Sequence, residues 1–482
     1  MKVCFYGFAG YRYILLEIIK LFGKELDWSI ILPTYHNKEL FYNVLEKGKV
    51  CYLYNDFNKY FENLNNDHIS NILENYYGNF YEDLMADKIT LKKKSSLFQE
   101  KHGITTYLIY KDFLEKNNPD FLFFPHMETH EARILFATAK ELNIKTIVYS
   151  HARNFGVSFY SKEYWQKIPE NIEINENDIK IASQFIENFR KNPNRDIPDI
   201  EISFNKENLY NKINMYKTSL KQAILENLKY RFGKEKYYHG EDTLIQKART
   251  RFIKYTEILF YKPKFTYIVN KYFKKLPINE LPENFIYFPL QITPESSTNN
   301  FEPYYVDHIR AIDLLRKSMP NNYKIVLKDH PSYFGRRPLS FYETLSKLPG
   351  TILIDTSVNS LELIKRSKLV SSITGTANLE ALLLGKKSLI FGKCFFYDYV
   401  YKYNCFFSFK DDLNKILSSD DKEKLYKNSL ELTAKILKIG KKFILFESLD
   451  LYFRRNNVTL VDQNLKIAYD SLKEFMCKYE KY

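Results

Sequence analysis

Three short polar segments in the second half of the chain contain residue types that bind phosphorylated ligands. They are QITPESS at 291–297, KDHP at 328–331 and TGTANLE at 374–380. Lysine, histidine and threonine donate hydrogen bonds to phosphate oxygens, and a carboxylate such as Glu380 accepts them from a ribose diol. Gly375 lets the backbone approach a ligand closely. The combination predicts a site for a nucleotide-containing substrate.

The third segment lies inside a pattern typical of a βαβ unit. A β-rich run ends at residue 373, leucines at 379, 382 and 383 follow at helical spacing, and a second strand-like run occupies 388–391. Units of this kind build parallel, doubly wound sheets, which bind ligands at the carboxyl ends of their strands.

The start of the predicted helix is expected to face an anion. The backbone N–H groups of Thr376, Ala377 and Asn378 would point toward it, and the Thr374 and Thr376 hydroxyls would add two donors. A structural alternative gives these residues no ligand. Thr374 or Thr376 would then be only a helix N-cap, and Glu380 only a favourable charge in the first turn.

Other strands are predicted to bring the three segments together. Strand-like runs occupy 285–290, 324–327 and 352–354, with helical patterns at 306–317 and 360–366. The first two runs end at the first two polar segments, so all three segments should meet at one sheet edge. Pro331 disfavours a helical conformation at His330, which we therefore expect in an extended segment at the mouth of the site.

A second group of polar residues follows two strands predicted in the first half of the chain. Strands are predicted at 2–8, 28–32, 50–53, 121–124 and 146–149, with helices at 13–21 and 39–45. The polar residues after the last two strands form a candidate acceptor site: His126, Glu128, His130, Glu131, His151 and Arg153. The spacing of His126 and His130 would suit a metal on one helix face, but without an HExxH order we predict no metal.

Composition limits the class of protein. The 482 residues suggest two domains, and 72 Lys and Arg against 58 Asp and Glu give a net charge of +14, which favours anionic partners. No zinc-finger spacing, RNA-binding aromatic signature or long basic block favours nucleic acid. Five cysteines without a close CxxC pair fit a reducing cytoplasm. No window of about 18 apolar residues predicts a membrane-spanning helix.

These patterns predict an α/β fold with four regions. An N-terminal doubly wound domain with the candidate acceptor site covers 1–155, a helical insertion or linker 156–283, a C-terminal doubly wound domain with the nucleotide site 284–410, and helices 411–482. We expect the last helix to pack back across the first domain.

The segments LQITPESS, LKDHPS and TGTANLEALLLGKKSLIFG resemble the capsule-synthesis group of bacterial glycosyltransferases, which includes transferases of β-linked 3-deoxy-manno-octulosonic acid (Kdo). The resemblance covers about 285–400. It implies two Rossmann-like domains facing each other in the GT-B arrangement and a CMP-activated donor sugar, with no further cofactor. It also implies a capsular or lipopolysaccharide glycan acceptor and a cytoplasmic enzyme, with peripheral contact at the inner membrane left open.

The resemblance also implies residue roles. His330 and Lys328 would hold the donor phosphate, and the remaining pocket would consist of Gln291, Thr374, Gly375, Thr376 and Glu380. Glu295 falls where the Kdo enzymes have a nucleophilic aspartate, so Glu295 and His330 are the predicted catalytic residues. As a nucleophile Glu295 would give retention of configuration, and as a base it would give inversion.

Two departures keep other functions open. Glu replaces Asp at 295, and the FYDYV run after Cys394 differs from the continuation in the Kdo enzymes, so the donor is Kdo or another ulosonic acid. One alternative is a different GT-B enzyme, either a glycerophosphate transferase or a sugar epimerase. Another is a glycan-binding or export-assembly protein without catalytic activity.

Overall fold

The computed structural model describes residues 1–8, 11–33, 41–86, 91, 94–127, 129–193, 267–268, 270–274, 276–293, 298, 300–330, 333, 337–445 and 458–482. These residues form two α/β domains, each built on a six-stranded sheet.

The first sheet is parallel except at one edge. Its strands, in spatial order β3-β2-β1-β4-β5-β6, pair in parallel apart from the antiparallel pair β5–β6. The central strand β4 is buried along its whole length, and β5 is buried at six of its eight residues, as helices on both faces require. The strands are β1 (Lys2–Tyr6), β2 (Asp27–Leu32), β3 (Val50–Tyr52), β4 (Phe121–Phe124), β5 (Lys145–Ala152) and β6 (Val157–Ser161).

Five of the helices of the first half begin at a polar side chain that caps their first turn. The Asn79 side chain accepts hydrogen bonds from two backbone N–H groups, and Asn175 forms a capping box with Asp178. The helices are α1 (Tyr11–Phe22), α2 (Phe57–Asn63), α3 (Asn66–Asn75), α4 (Phe80–Met85), α5 (Ser96–Asn117), α6 (His130–Glu141) and α7 (Glu176–Lys191).

The second sheet is parallel throughout, in the spatial order β12-β11-β10-β7-β8-β9. Its strands are β7 (Phe285–Pro289), β8 (Lys324–Lys328), β9 (Thr351–Ile354), β10 (Leu369–Ser372), β11 (Ser388–Ile390) and β12 (Tyr401–Lys402). Its helices and those that follow are α8 (His308–Ser318), α9 (Leu339–Lys347), α10 (Ser360–Arg366), α11 (Thr376–Leu383), α12 (Phe409–Ser418), α13 (Lys422–Ile439) and α14 (Val458–Cys477).

The two sheets share one topology. In each, the first three strands run outward from the centre in one direction and the next three in the other, so the order reverses between β1 and β4 and between β7 and β10. A reversal of this kind opens a crevice at the carboxyl edge, where doubly wound proteins bind ligands. The predicted fold class, two Rossmann-like domains of GT-B type with added helices, is confirmed.

The C-terminal helix α14 returns to the first domain, as expected. The Tyr160 hydroxyl donates to the Ala468 carbonyl oxygen at 2.9 Å, and Tyr469 stacks on Phe22 with ring centroids 4.2 Å apart. A separate buried cluster joins side chains of both halves, among them Phe155, Ile186, Leu379 and Leu432. Burial of this apolar surface stabilises the junction between the domains.

Some elements were missed by the sequence patterns. The antiparallel edge strand β6, the two-residue strand β12 and helix α9 were not predicted. Of the helix expected at 39–45, the described residues 41–42 are helical, and 43–45 form a turn and a bend. In the part of the chain that the structure describes, no helix combines the length and apolar character needed to cross a bilayer.

Candidate functional site

Gln291 and Thr374 connect the two sides of the crevice in the second sheet. Gln291 follows β7 and Thr374 follows β10, and the Gln291 amide nitrogen donates to the Thr374 hydroxyl at 3.1 Å. The Gln291 amide oxygen accepts from the backbone N–H groups of Ile373 and Thr374 at 3.1 and 3.0 Å. The side chain of Gln291 is nearly buried. The predicted binding residue Gln291 therefore holds the shape of the turn at the crevice.

The backbone of Gln291 is held as firmly as its side chain. Its N–H donates to His308 Nε2 at 3.2 Å, and its carbonyl oxygen accepts from the Arg337 guanidinium. Burial, together with the charge of Arg337, lowers the pKa of His308 to about 3. The His308 imidazole is therefore neutral, with Nε2 available as the acceptor.

The turn that follows β10 depends on a small residue at position 375. The Gly375 N–H donates to Ser372 Oγ at 2.7 Å, and a Cβ at this position would lie only 2.8 Å from the same oxygen. Ser372 Oγ donates to the Asn378 side-chain oxygen at 2.5 Å. The Asn378 side-chain nitrogen donates to Ser388 Oγ and to the Leu389 carbonyl oxygen, each at 2.9 Å. Asn378 thus ties β10, β11 and α11 together.

The start of α11 differs from the prediction in two respects. The N-cap is Gly375, so neither Thr374 nor Thr376 has that role. The Asn378 N–H donates to the Gly375 carbonyl oxygen at 3.0 Å, so it does not face an anion. Thr376 is exposed as the first residue of the helix. The predicted anion donors that remain are the backbone N–H groups of Thr376 and Ala377 and the hydroxyls of Thr374 and Thr376.

Lys328 brings a buried positive charge to the same edge. It is the last residue of β8 and is 7 % exposed, and its Nζ donates to Ser360 Oγ at 2.7 Å. Burial lowers the pKa of Lys328, and the charges of Asp355 and Glu380 oppose that shift. An ammonium group that has lost much of its hydration gains strongly from an incoming anion.

Glu380 lies where the second domain meets the first. Its side chain is 5 % exposed, and its Oε1 accepts from the Asn154 side-chain nitrogen at 3.3 Å. Asn154 belongs to the 3₁₀ turn Arg153–Phe155 after β5. The carboxylate predicted to contact the nucleotide is thus oriented from the other domain.

Asp329 and His330 have opposite environments. The Asp329 carboxylate is 1 % exposed and accepts from Arg337 Nε at 3.3 Å, from the Tyr342 hydroxyl at 2.5 Å and from the His330 N–H at 2.8 Å. The His330 side chain is exposed and lies outside any helix, as expected from Pro331. Asp329 therefore anchors the segment that presents His330 at the mouth of the crevice.

His126 occupies an aromatic environment in the first domain. Its ring lies 4.8 Å from that of Tyr11, 4.9 Å from Phe8 and 5.9 Å from Tyr6. Neither ring nitrogen has a hydrogen-bond partner among the described residues, and burial lowers the pKa of His126 to about 3. The neutral ring keeps one donor and one acceptor that no described residue uses.

The other predicted acceptor residues are dispersed. His151 Nδ1 lies 2.9 Å from Ser158 Oγ across the β5–β6 pair, while Arg153 is exposed beside Asn154.

Two predicted residues, Glu128 and the catalytic candidate Glu295, lie outside the described residues. The acceptor role therefore stays a prediction for His126, His151 and Arg153.

His130 contacts a different set of residues from His126. It is the first residue of α6, is fully buried, and its Nε2 lies 3.3 Å from His102 Nδ1, while Nδ1 lies 3.2 Å from the Glu131 carboxylate. Since His126 precedes the helix, the two histidines do not share a helix face. Within the described ranges, no group of three or more His, Cys, Asp or Glu side chains is arranged to hold a metal.

Arg133 was missed by the sequence patterns. Its guanidinium donates to Asp83 at 2.7 Å, to Glu82 at 3.0 Å and to the Asn300 carbonyl oxygen of the second domain at 2.9 Å. Asn300 in turn donates to the Met127 carbonyl oxygen. The partners lie 50 or more residues from Arg133 in sequence, so no local spacing could reveal this connection.

Comparison by sequence family gives a match for the middle of the chain. Residues 201–399 match the family model described as capsule polysaccharide biosynthesis protein. The predicted resemblance to the capsule-synthesis group is confirmed by this match, which begins well before residue 285. No curated protein matches the chain by sequence.

Solved structures with detectable similarity are distant. The β-Kdo 2,7-transferase KpsC of Thermosulfurimonas dismutans has a TM-score of 0.28 at 14 % identity, covering 62 % of this chain and 74 % of that one. UDP-GlcNAc 2-epimerase of Neisseria meningitidis has a TM-score of 0.23 at 13 % identity, covering 91 % and 100 %. Anabaena HepE, solved with UDP and glucose, has a TM-score of 0.25 at 12 % identity, covering 98 % and 100 %.

Proposed function

We propose that this protein, whose residues 201–399 match the capsule polysaccharide biosynthesis family, is a glycosyltransferase that acts on a capsular or lipopolysaccharide glycan. Its donor would be a nucleotide-activated sugar bound at the crevice of the second sheet. The observation that carries the proposal is the buried Lys328 ammonium at the carboxyl end of β8, on the same edge as the turn after β10. A dehydrated cation there suits a phosphate group.

The proposed chemistry follows from where charge develops. Cleavage of the bond between sugar and phosphate leaves negative charge on the departing nucleotide, which preorganised donors stabilise. The donors would be Lys328, His330 and the N–H groups that begin α11. Each charge-assisted hydrogen bond contributes about 1.5–3 kcal/mol, so a few of them change the rate by orders of magnitude.

The proposal also includes the identity of the donor and the residues that contact each substrate. The donor would be CMP-linked, carrying Kdo or another ulosonic acid, and no metal or further cofactor would be required. Glu380 would accept hydrogen bonds from the ribose, and His126, His151 and Arg153 would contact the acceptor. Glu295 would act as nucleophile or base. The net charge of +14 is compatible with an acidic glycan and with peripheral contact to an anionic membrane face.

Product analysis tests the proposal. Purified protein is incubated with CMP-Kdo, a CMP-nonulosonic acid or a UDP-sugar, in each case with and without a capsular oligosaccharide, and products are identified by mass spectrometry. We expect acceptor-dependent transfer from a CMP-linked donor and strong loss of transfer in Lys328→Met. The exposed Lys365→Met on α10 is the matched control. Acceptor-independent conversion of the UDP-sugar would instead indicate an epimerase, and glycan binding without turnover a binding protein.

A further inference from the structure

Glu302 lies beside the proposed donor site, although no sequence pattern points to it. It precedes the 3₁₀ turn Pro303–Tyr305 in the connection between β7 and α8. Gly392 lies against Glu302 and Thr374. A Cβ added at Gly392 would be only 2.5 Å from Glu302 Cβ and 2.9 Å from Thr374 Cγ2. Glycine at 392 leaves the space in which Glu302 packs next to Thr374. The carboxyl group is thus placed at the crevice.

The first domain holds this connection from the other side. The Arg133 guanidinium binds the Asn300 carbonyl oxygen at 2.9 Å, two residues before Glu302. Arg133 is itself fixed by Asp83 and Glu82 on α4. Glu302 therefore lies at the boundary of the two domains, where an acceptor bound to the first would meet a donor bound to the second.

The ionisation of Glu302 suits proton transfer near neutral pH. Burial raises the pKa of Glu302 to about 7. The negative charge of Glu82 also raises this pKa, whereas the positive charge of Lys393 and a hydrogen bond from the Tyr304 N–H lower it. The other charged or titratable groups around this cluster are Asp83, Arg133, Tyr164 and the Tyr304 hydroxyl. A carboxyl group that is half ionised near pH 7 can act as an efficient general base.

Aromatic rings adjoin the same boundary. The Arg133 guanidinium lies 4.0 Å from the Tyr164 ring centre, and the Lys393 ammonium lies 5.9 Å from that of Trp165. The Tyr304 side chain is 61 % exposed. Flat rings beside charged and hydrogen-bonding groups form a surface suited to a sugar ring, which presents both C–H groups and hydroxyls.

We propose that Glu302 is a catalytic base that takes the proton of the attacking acceptor hydroxyl. This inference rests on the proposed glycosyl transfer. The O–H bond of the acceptor breaks as its proton moves to the Glu302 carboxylate, and the oxygen forms the new bond to the anomeric carbon. The bond from that carbon to its leaving oxygen breaks, and its electron pair stays on the leaving group. Glu302 then releases the proton to water.

The test compares Glu302→Gln with the matched control Glu283→Gln, which changes a carboxylate that is 88 % exposed. Transfer rates are measured from pH 5.5 to 8.5, nucleotide affinity by calorimetry and folding by thermal unfolding. In the wild type, kcat/KM should fall as the pH decreases through about 7, because the base becomes protonated. We expect Glu302→Gln to lower kcat by about 10²–10⁴-fold, to lose this acid limb and to keep nucleotide affinity.

Each other outcome has a distinct meaning. Wild-type turnover in Glu302→Gln with an unchanged acid limb would overturn the role of Glu302 while leaving the transferase function standing. Loss of both transfer and nucleotide affinity in a folded variant would assign Glu302 a structural role and also overturn the inference. A wild-type protein without transfer from any donor would overturn the function itself, and the inference with it.

Discussion

The Gln291 side-chain nitrogen lies 3.1 Å from the Thr374 hydroxyl, across the point where the strand order of the second sheet reverses. The same side chain accepts hydrogen bonds from two backbone N–H groups of the turn after β10. One buried amide therefore fixes the distance between the ends of two central strands. We interpret Gln291 as the residue that keeps the crevice in shape before any ligand arrives.

Replacing Gln291 with methionine should destabilise the fold and weaken nucleotide binding together. The substitution keeps the volume but leaves the buried N–H groups of Ile373 and Thr374 without their acceptor, which costs about 1–3 kcal/mol for each group. Urea unfolding and calorimetry measure the two effects. The exposed Gln463→Met on α14 is the matched control. Unchanged stability in Gln291→Met would contradict the structural role.

Nucleotide affinity should decline at alkaline pH because of Lys328. Phosphate binding needs the charged ammonium, and burial lowers the pKa of this lysine below its usual 10.5. The affinity should therefore fall as the pH rises through the lowered pKa of Lys328. In Lys328→Met the affinity should be weaker throughout and this alkaline decline should be absent. Titrations between pH 7 and 10 measure it, and an identical decline in the variant would exclude Lys328 as the cause.

The buried His126 should make the protein sensitive to acid. Its pKa is about 3 in the folded state against an ordinary 6.5, so between these values the unfolded chain binds more protons. Stability is then lost as the pH falls below 6.5, by up to about 1.4 kcal/mol for each pH unit. His126→Phe fits the aromatic surroundings and buries no unpartnered nitrogen, so it should be at least as stable at pH 7 and should lose less stability at pH 5.

Denaturant unfolding of wild type and His126→Phe at the two pH values tests this expectation, with the exposed His68→Gln as the matched control. An equal loss of stability in wild type and variant between pH 7 and 5 would show that His126 does not cause it. If His126→Phe is stable but transfers sugar slowly, the reduced transfer rate would support a role of the His126 ring in acceptor binding.

The sequence predicted the elements whose pattern is local. Continuous apolar runs located β4 and the core of β7, and Ser360–Arg366 was placed at its observed bounds. The edge strand β6, which pairs antiparallel with β5 across the short turn at 153–156, was not predicted. The polar segments that begin at 291, 328 and 374 were expected at one sheet edge. Their described residues lie at the carboxyl edge of the second sheet, because each segment comes at the end of a parallel strand.

The contacts that decide the roles of individual residues could not be predicted in this way. Glu380 is oriented by Asn154, 226 residues earlier in the chain, and Gln291 binds a turn 83 residues away. Glu302 gains its raised pKa from burial at the domain boundary, which no sequence spacing reveals. Such features depend on tertiary packing, so they emerge only when the two sheets are assembled.

Calorimetric titration of the wild-type protein, Lys328→Met and His330→Ala with CMP, CDP, UDP and GDP tests the proposed donor site most directly. We expect selective binding of CMP that weakens in both variants, most strongly in Lys328→Met because the Lys328 cation is buried at the strand end. Lys365→Met should bind like the wild type. Preference for UDP or GDP would contradict the proposed donor, and no nucleotide binding at all would contradict the transferase function.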